Sequence, residues 1–274
     1  MEPLFYRSLG LELSGPRSQR TALAILDHYP EQGRIVLQDL VQPEKSSDDS
    51  DIALGEYISK IEKGISGIGI HAPVSLPPIV YRAHKNLSKV QQMNLSEVKW
   101  MEKVWSKLKN KPHKFIPYLH RPAEVWLRHK AVERYSDVMS FATTGAPLAA
   151  RVVHLKGQIK SPLNEIFPRA VIKRISESLE IRPRVFKSYT DLEGGVKARE
   201  EFLIQLSIKL PQLFLYEKDV EKMILSPHQL NAFLCALMQH MVKCGEFEGR
   251  PKGFPKAASW IHIPRIHIDW DKLI

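Results

Sequence analysis

The chain has 274 residues, of which 43% are hydrophobic and 26% charged, a composition that excludes a disordered or low-complexity polypeptide and supports a sizeable core. Its net charge of +10 is concentrated: between Val80 and Arg134 there are 13 Lys or Arg against 4 Asp or Glu, while the remainder holds 27 against 26. The two cysteines, Cys235 and Cys244, have no zinc-site spacing, no stretch is long and apolar enough to span a bilayer, and the N-terminus does not read as a signal peptide, so a cytoplasmic protein is expected.

In chain order, Tyr6–Ser14, Thr21–Tyr29 and Gly33–Val41 read as three short strands separated by turn-forming residues, the pattern of an antiparallel meander. A polar linker, QPEKSSDDS, precedes an amphipathic helix with Ile52, Tyr57, Ile58 and Ile61 on one face, stopped by Gly64. The run Ile65–Ile70 is apolar throughout, as in a strand buried on both faces, and it delivers His71 to the edge of the sheet. Three strands, a helix and a buried strand predict an α/β sheet with a crossover.

The basic segment that follows is expected to be helical and to form an insert at about 80–136 within one domain. Leu95, Val98, Met101, Trp105 and Leu108 fall at helical spacing, and a second helix starts near Pro122. Trp100 and Trp105 could stack on bases, but a tryptophan on an apolar stripe is more simply core. A localised positive field suits a polyanion, with nucleic acid the expected partner and an acidic protein the alternative; a solvated lysine face accounts equally for the charge.

The second half returns to α/β. A strand is expected to end at Glu165, with Phe167-Pro168 opening a helix; a helix covers GGVKAREEFLIQLSIKL; and Ser226-Pro227 starts an apolar helix that Gly245 terminates. The tail ASWIHIPRIHIDW reads as an extended or strand segment. Polar side chains thus stand where elements end: Glu12 in the first strand, His71, Glu165, and His228 with Asn231 in the first turns of the last long helix. Ends of neighbouring strands and a helix terminus can converge on one crevice, and oxygen ligands there would suit Mg²⁺ or Mn²⁺. Taken singly, each also has an ordinary structural explanation.

The segments GLELSG (Gly10–Gly15), IHAPVSLP (Ile70–Pro77), NEIFPRA (Asn164–Ala170) and LNAFLCAL (Leu230–Leu237) resemble, in order, the GID, IDAP, E-V-F/Y-P and LDALxCAL elements of an uncharacterised family of ribonuclease-H-like predicted nucleases. HRPAEVWLR (His120–Arg128) is similar to its Arg-x-x-acid element, and SWIHIP to its closing strand. The resemblance implies a ribonuclease-H-like α/β fold: a mixed five-stranded sheet, first three strands antiparallel, helices on both faces. It also implies metal-dependent phosphodiester hydrolysis, with carboxylates holding two ions about 4 Å apart.

On that pattern Glu12, His71, Glu165 and Asn231 stand at catalytic positions, and Arg121, Glu124 and Arg128 are candidates for substrate contact. Glu12, His71, Glu165 and His228 are the candidate metal ligands. The departures are large. Glu12, His71 and Asn231 each stand where the family has Asp, so the expected carboxylate site is altered. Imidazole binds transition metals well but Mg²⁺ poorly. A metal-dependent nuclease with an altered carboxylate site, active or inactive, and a non-catalytic nucleic-acid-binding protein of the same fold are therefore both open on the sequence.

Overall fold

The computed structural model describes residues 4–15, 20–42, 50–61, 64–108, 114–130, 141 and 145–274. Residues 43–49 of the polar linker and residues 109–113 and 131–136 of the basic insert lie outside the described residues. The chain divides into two compact units: Met1–His71, His154–Glu248 and His262–Ile274 form the first, and Ala72–Val153 with Gly249–Ile261 form the second. The expected insert falls within the second unit, which is longer at both ends and draws in residues 249–261.

The first unit carries a mixed α/β sheet. Its strands are β1 (Tyr6–Glu12), β2 (Ala22–Tyr29), β3 (Arg34–Val41), β4 (Ile65–Ile70), β5 (Leu163–Ile166), β6 (Leu213–Phe214) and β7 (Ile261–His262), in the order β6-β3-β2-β1-β4-β5-β7. β1, β2 and β3 form the expected antiparallel meander, while β4 runs parallel to β1 and β5 parallel to β4. The sheet has seven strands where the family resemblance implies five, and β7 falls in the tail read as extended or strand. The two additional strands are two residues each, too short to carry an alternation of their own.

The helices are α1 (Ser50–Ile61), α2 (Pro78–Tyr81), α3 (Lys89–Met93), α4 (Ser96–Ser106), α5 (Pro122–Lys130), α6 (Ala146–Lys156), α7 (Pro168–Ser178), α8 (Arg184–Ser188), α9 (Val196–Lys209), α10 (Glu217–Leu225) and α11 (Pro227–Lys243). In α1 the buried face is Leu54 and Ile58, with Ile61 half-buried at the same spacing. Ile52 is exposed because it lies on the other side of the helix from Leu54. Among the described residues no helix is long and apolar enough to cross a membrane.

The central helix α11 fixes the site. Ser226 caps it, its hydroxyl accepting from the Gln229 N–H at 3.4 Å, and Pro227 occupies the first turn, where a missing N–H costs nothing. The helix lies across β1, β2 and β4 and is buried along most of its length. It can sit that close because β1 and β4 present glycines to it. A methyl group on Gly10 would meet the Ala236 Cα at 2.9 Å and the Ala232 carbonyl closer still; one on Gly69 would run into the backbone of Cys235. Residues alternating with these glycines, Leu9 and Leu11 in β1 and Ile68 and Ile70 in β4, are buried on the opposite face of the sheet.

In the second unit, α4 buries Val98, Met101, Val104, Trp105 and Leu108 against α5, where Val125 joins the cluster. Trp105 is core, enclosed by Phe115 and edge-on to His120 at 4.8 Å between centroids. Trp100 is half-buried and packs against Trp126 and, edge-on, Phe254.

Candidate functional site

The alternation that turns Gly10 toward α11 also turns Glu12 toward it, two residues on at the end of β1. His71 follows β4 on the same face as Gly69, and its N–H donates to the Leu11 carbonyl at 2.9 Å, extending the β1–β4 ladder by one rung. His228 and Asn231 reach down from the first turns of α11. The structure thus brings together four of the sequence-predicted residues around one buried carboxylate.

The His71 Nδ1–H donates to Glu12 Oε2 at 2.6 Å, the Asn231 Nδ2 donates to Oε1 at 3.3 Å, and His228 Nδ1 approaches Oε1 at 3.5 Å. An ionised carboxylate only accepts, so both imidazoles carry their proton on Nδ1. Asn231 is oriented in turn by Tyr189, whose hydroxyl donates to Asn231 Oδ1 at 3.2 Å and thereby aims the amide N–H₂ at Glu12. Burial pulls the Glu12 carboxyl upward, but the charge of His71 and the hydrogen bonds from His228 and His71 outweigh it and hold the pKa below the ordinary 4.5. Burial and the Glu12 charge both push the Tyr189 hydroxyl up, so it stays a donor.

His71 is held at Nδ1 by the carboxylate, and its other nitrogen, Nε2, is buried and makes no hydrogen bond among the described residues. The Phe167 ring lies 6.1 Å from the imidazole, centroid to centroid. A carboxylate holding one ring nitrogen sets the tautomer and leaves the lone pair of Nε2 for a proton or a metal ion.

Glu165 does not join this network. In β5, Asn164 donates to Gln239 of α11 at 2.8 Å and Ile166 packs beside Gly69 and Cys235, so both flanking side chains face α11. Glu165 between them points to the other face of the sheet, in register with Ile70. There it interacts with Lys156 at the end of α6: burial lowers the Lys156 ammonium and the Glu165 charge partly restores it.

Arg121, Glu124 and Arg128 belong to the second unit. Arg121 is buried and paired with Glu124, Nη2 to Oε1 at 2.8 Å and Nε to Oε1 at 3.1 Å. The Glu124 Oε2 accepts from the backbone N–H of Arg121 at 3.2 Å, three residues before it at the start of α5, so helix capping accounts for the Arg-x-x-Glu spacing. Arg128, later in α5, is half-buried.

Two hard divalent ions do not fit the Glu12 cluster. Such ions need several oxygen donors, and here the single carboxylate already accepts from nitrogen donors while the Asn231 oxygen accepts from Tyr189. Among the described residues no three His, Cys, Asp or Glu side chains are grouped so as to hold a metal ion.

Sequence reasoning did not single out Tyr189 or Lys156. Tyr189 lies 42 residues from Asn231 and carries no local pattern. Lys156 is one of three basic residues in α6, with Arg151 and His154, and no local pattern sets it apart. A cavity of about 570 Å³ between the ends of α7 and α9 and the C-terminal turn, lined by Ser178, Gln205, Lys209 and Trp270, includes none of the site residues. Compared with protein-family models, with curated proteins and with solved structures, the chain has no match.

Proposed function

We propose that the protein is a cytoplasmic nucleic-acid-binding protein on a ribonuclease-H-like frame, in which an internally neutralised hydrogen-bond cluster replaces the carboxylate site of a metal-dependent nuclease. The observation that carries this reading is the state of Glu12. Its carboxylate is already compensated by His71 at 2.6 Å and Asn231 at 3.3 Å, with His228 at 3.5 Å, so no cation is needed to neutralise it. The five longer strands, in the order β3-β2-β1-β4-β5 with the first three antiparallel, agree with what the family resemblance implies. Affinity would come from the basic segment between Val80 and Arg134, through release of counterions from phosphates.

A second reading rests on a different atom. The Nε2 of His71, without a partner among the described residues and held by Glu12 from behind, has the arrangement of a general base or of a ligand to one transition metal such as Mn²⁺, and supports a hydrolase. The two are separated by incubating labelled DNA and RNA with the protein in EDTA, Mg²⁺ and Mn²⁺ while anisotropy follows binding. Salt-sensitive binding without cleavage is expected. Cleavage that His71→Ala abolishes would overturn the first reading in favour of the second.

A further inference from the structure

From the exposed face of α4 we infer that Lys99, Lys103 and Lys107 form a phosphate-contact row that lies along one strand of duplex nucleic acid; this rests on the nucleic-acid reading above and names its surface. The three lysines recur at every fourth residue and are all exposed. That spacing sets them about 6 Å apart along the helix axis, a row about 12 Å long that drifts only about 40° around the helix per step. Over about 12 Å of axis a duplex strand presents three to four phosphates.

The row is not an incidental charged face. Among the described residues none of the three lysines has an ion-pair partner, whereas Arg82, close by in the chain, is bound to Glu97. Like charges at i,i+4 destabilise a helix, and the one acidic residue beside them, Glu102 at i+3 from Lys99, makes no ion pair with them among the described residues. The opposite face, with Val98, Met101, Val104 and Trp105, anchors α4 in the aromatic and aliphatic cluster, so the lysines project from a fixed support.

Duplex rather than single strand follows from what this face lacks. Its exposed positions are Ser96, Lys99, Glu102, Lys103, Ser106 and Lys107, which offer charges and hydroxyls to phosphate, and the one ring beside them, Trp100, is half-buried and packed against Trp126 and Phe254 rather than open to an unpaired base. Glu102 sits beside the row as its only opposing charge and has no partner of its own among the described residues.

The test is the salt dependence of binding to a labelled duplex and to its single strand, read by anisotropy. With each phosphate contact contributing about 0.9 to the slope of log K against log salt, the triple variant K99Q/K103Q/K107Q should reduce the magnitude of the slope by about 2.7. E102K should steepen it by about 0.9, a gain that misfolding does not mimic. Wild-type binding to duplex with neither variant altering the slope overturns the α4 row and leaves the nucleic-acid reading standing. Tighter binding to the single strand overturns the duplex assignment. Absence of binding to either nucleic acid at low salt overturns both the row and the reading beneath it.

Discussion

Replacing Glu12 by Gln gives opposite stability changes in the two kinds of site. In a cluster of carboxylates built to receive metal ions, neutralising one charge relieves repulsion and stabilises the metal-free protein. Among the described residues Glu12 is the sole negative group in its cluster of donors, so the same substitution should destabilise. The magnitude follows from the contacts. Glutamine has one acceptor oxygen and an N–H₂ group where Glu12 has two acceptors. If its oxygen keeps the His71 Nδ1–H, its amide nitrogen faces the Asn231 N–H₂, donor against donor. Turning the Asn231 amide over would sacrifice the bond from Tyr189. One charge-assisted bond is therefore lost in a buried setting and the other is weakened, a cost of about 2–3 kcal/mol, with the 3.5 Å His228 contact left out.

The assay is urea unfolding of wild type and E12Q at neutral pH in EDTA. The difference has a pH signature as well. The folded Glu12 pKa lies below its ordinary 4.5, so its stabilisation is fully present above that value and disappears as the pH falls through the lowered folded value. The gap between the two proteins should close in the same range. An E12Q protein as stable as wild type, or more stable, would refute the account of Glu12 as an internally compensated carboxylate.

Two further outcomes test the frame around the site. Gly10→Ala should cost about 3 kcal/mol or more, since the added methyl meets the backbone of α11 at Ala232 and Ala236 rather than a flexible side chain; urea unfolding measures it, and an unchanged midpoint would mean that α11 does not lie so close to β1. His240, buried and donating from Nε2 to the Leu273 carbonyl at 2.8 Å, has its pKa lowered from 6.5 to about 4, burial outweighing that bond and the charges of His28 and Lys243 adding to it. The unfolded chain then takes up the proton first, so stability should fall by about 3 kcal/mol on this account as the pH drops from 6.5 toward 4. His240→Gln should flatten that part of the stability–pH curve, and an unaltered curve would rule out His240 as its source.

Much of the frame was legible in the residues because its signals are local. The meander of β1 to β3, the Phe167-Pro168 and Ser226-Pro227 helix starts and the buried stripe of α4 follow from short-range sterics, capping and apolar periodicity. Glu12 and His71 were identifiable as polar residues at the ends of apolar strands, and the structure joins them at 2.6 Å. Arg121 and Glu124 were legible as a pair, though their spacing reflects the cap of α5.

What the sequence could not decide was which side of the sheet each residue serves. β5 is four residues long, and its alternation does not say which phase faces α11; only the contacts of Asn164 and Ile166 with that helix turn Glu165 away from Glu12. The same holds for Tyr189, whose hydroxyl reaches Asn231 only through the packing of α7 to α11, and for the two-residue strand β6, which exists because β3 offers it a partner. Element type is set by neighbours in the chain. The phase of a short strand, and with it the membership of the site, is set by tertiary packing, because burial on one face becomes favourable only once another element is there to cover it.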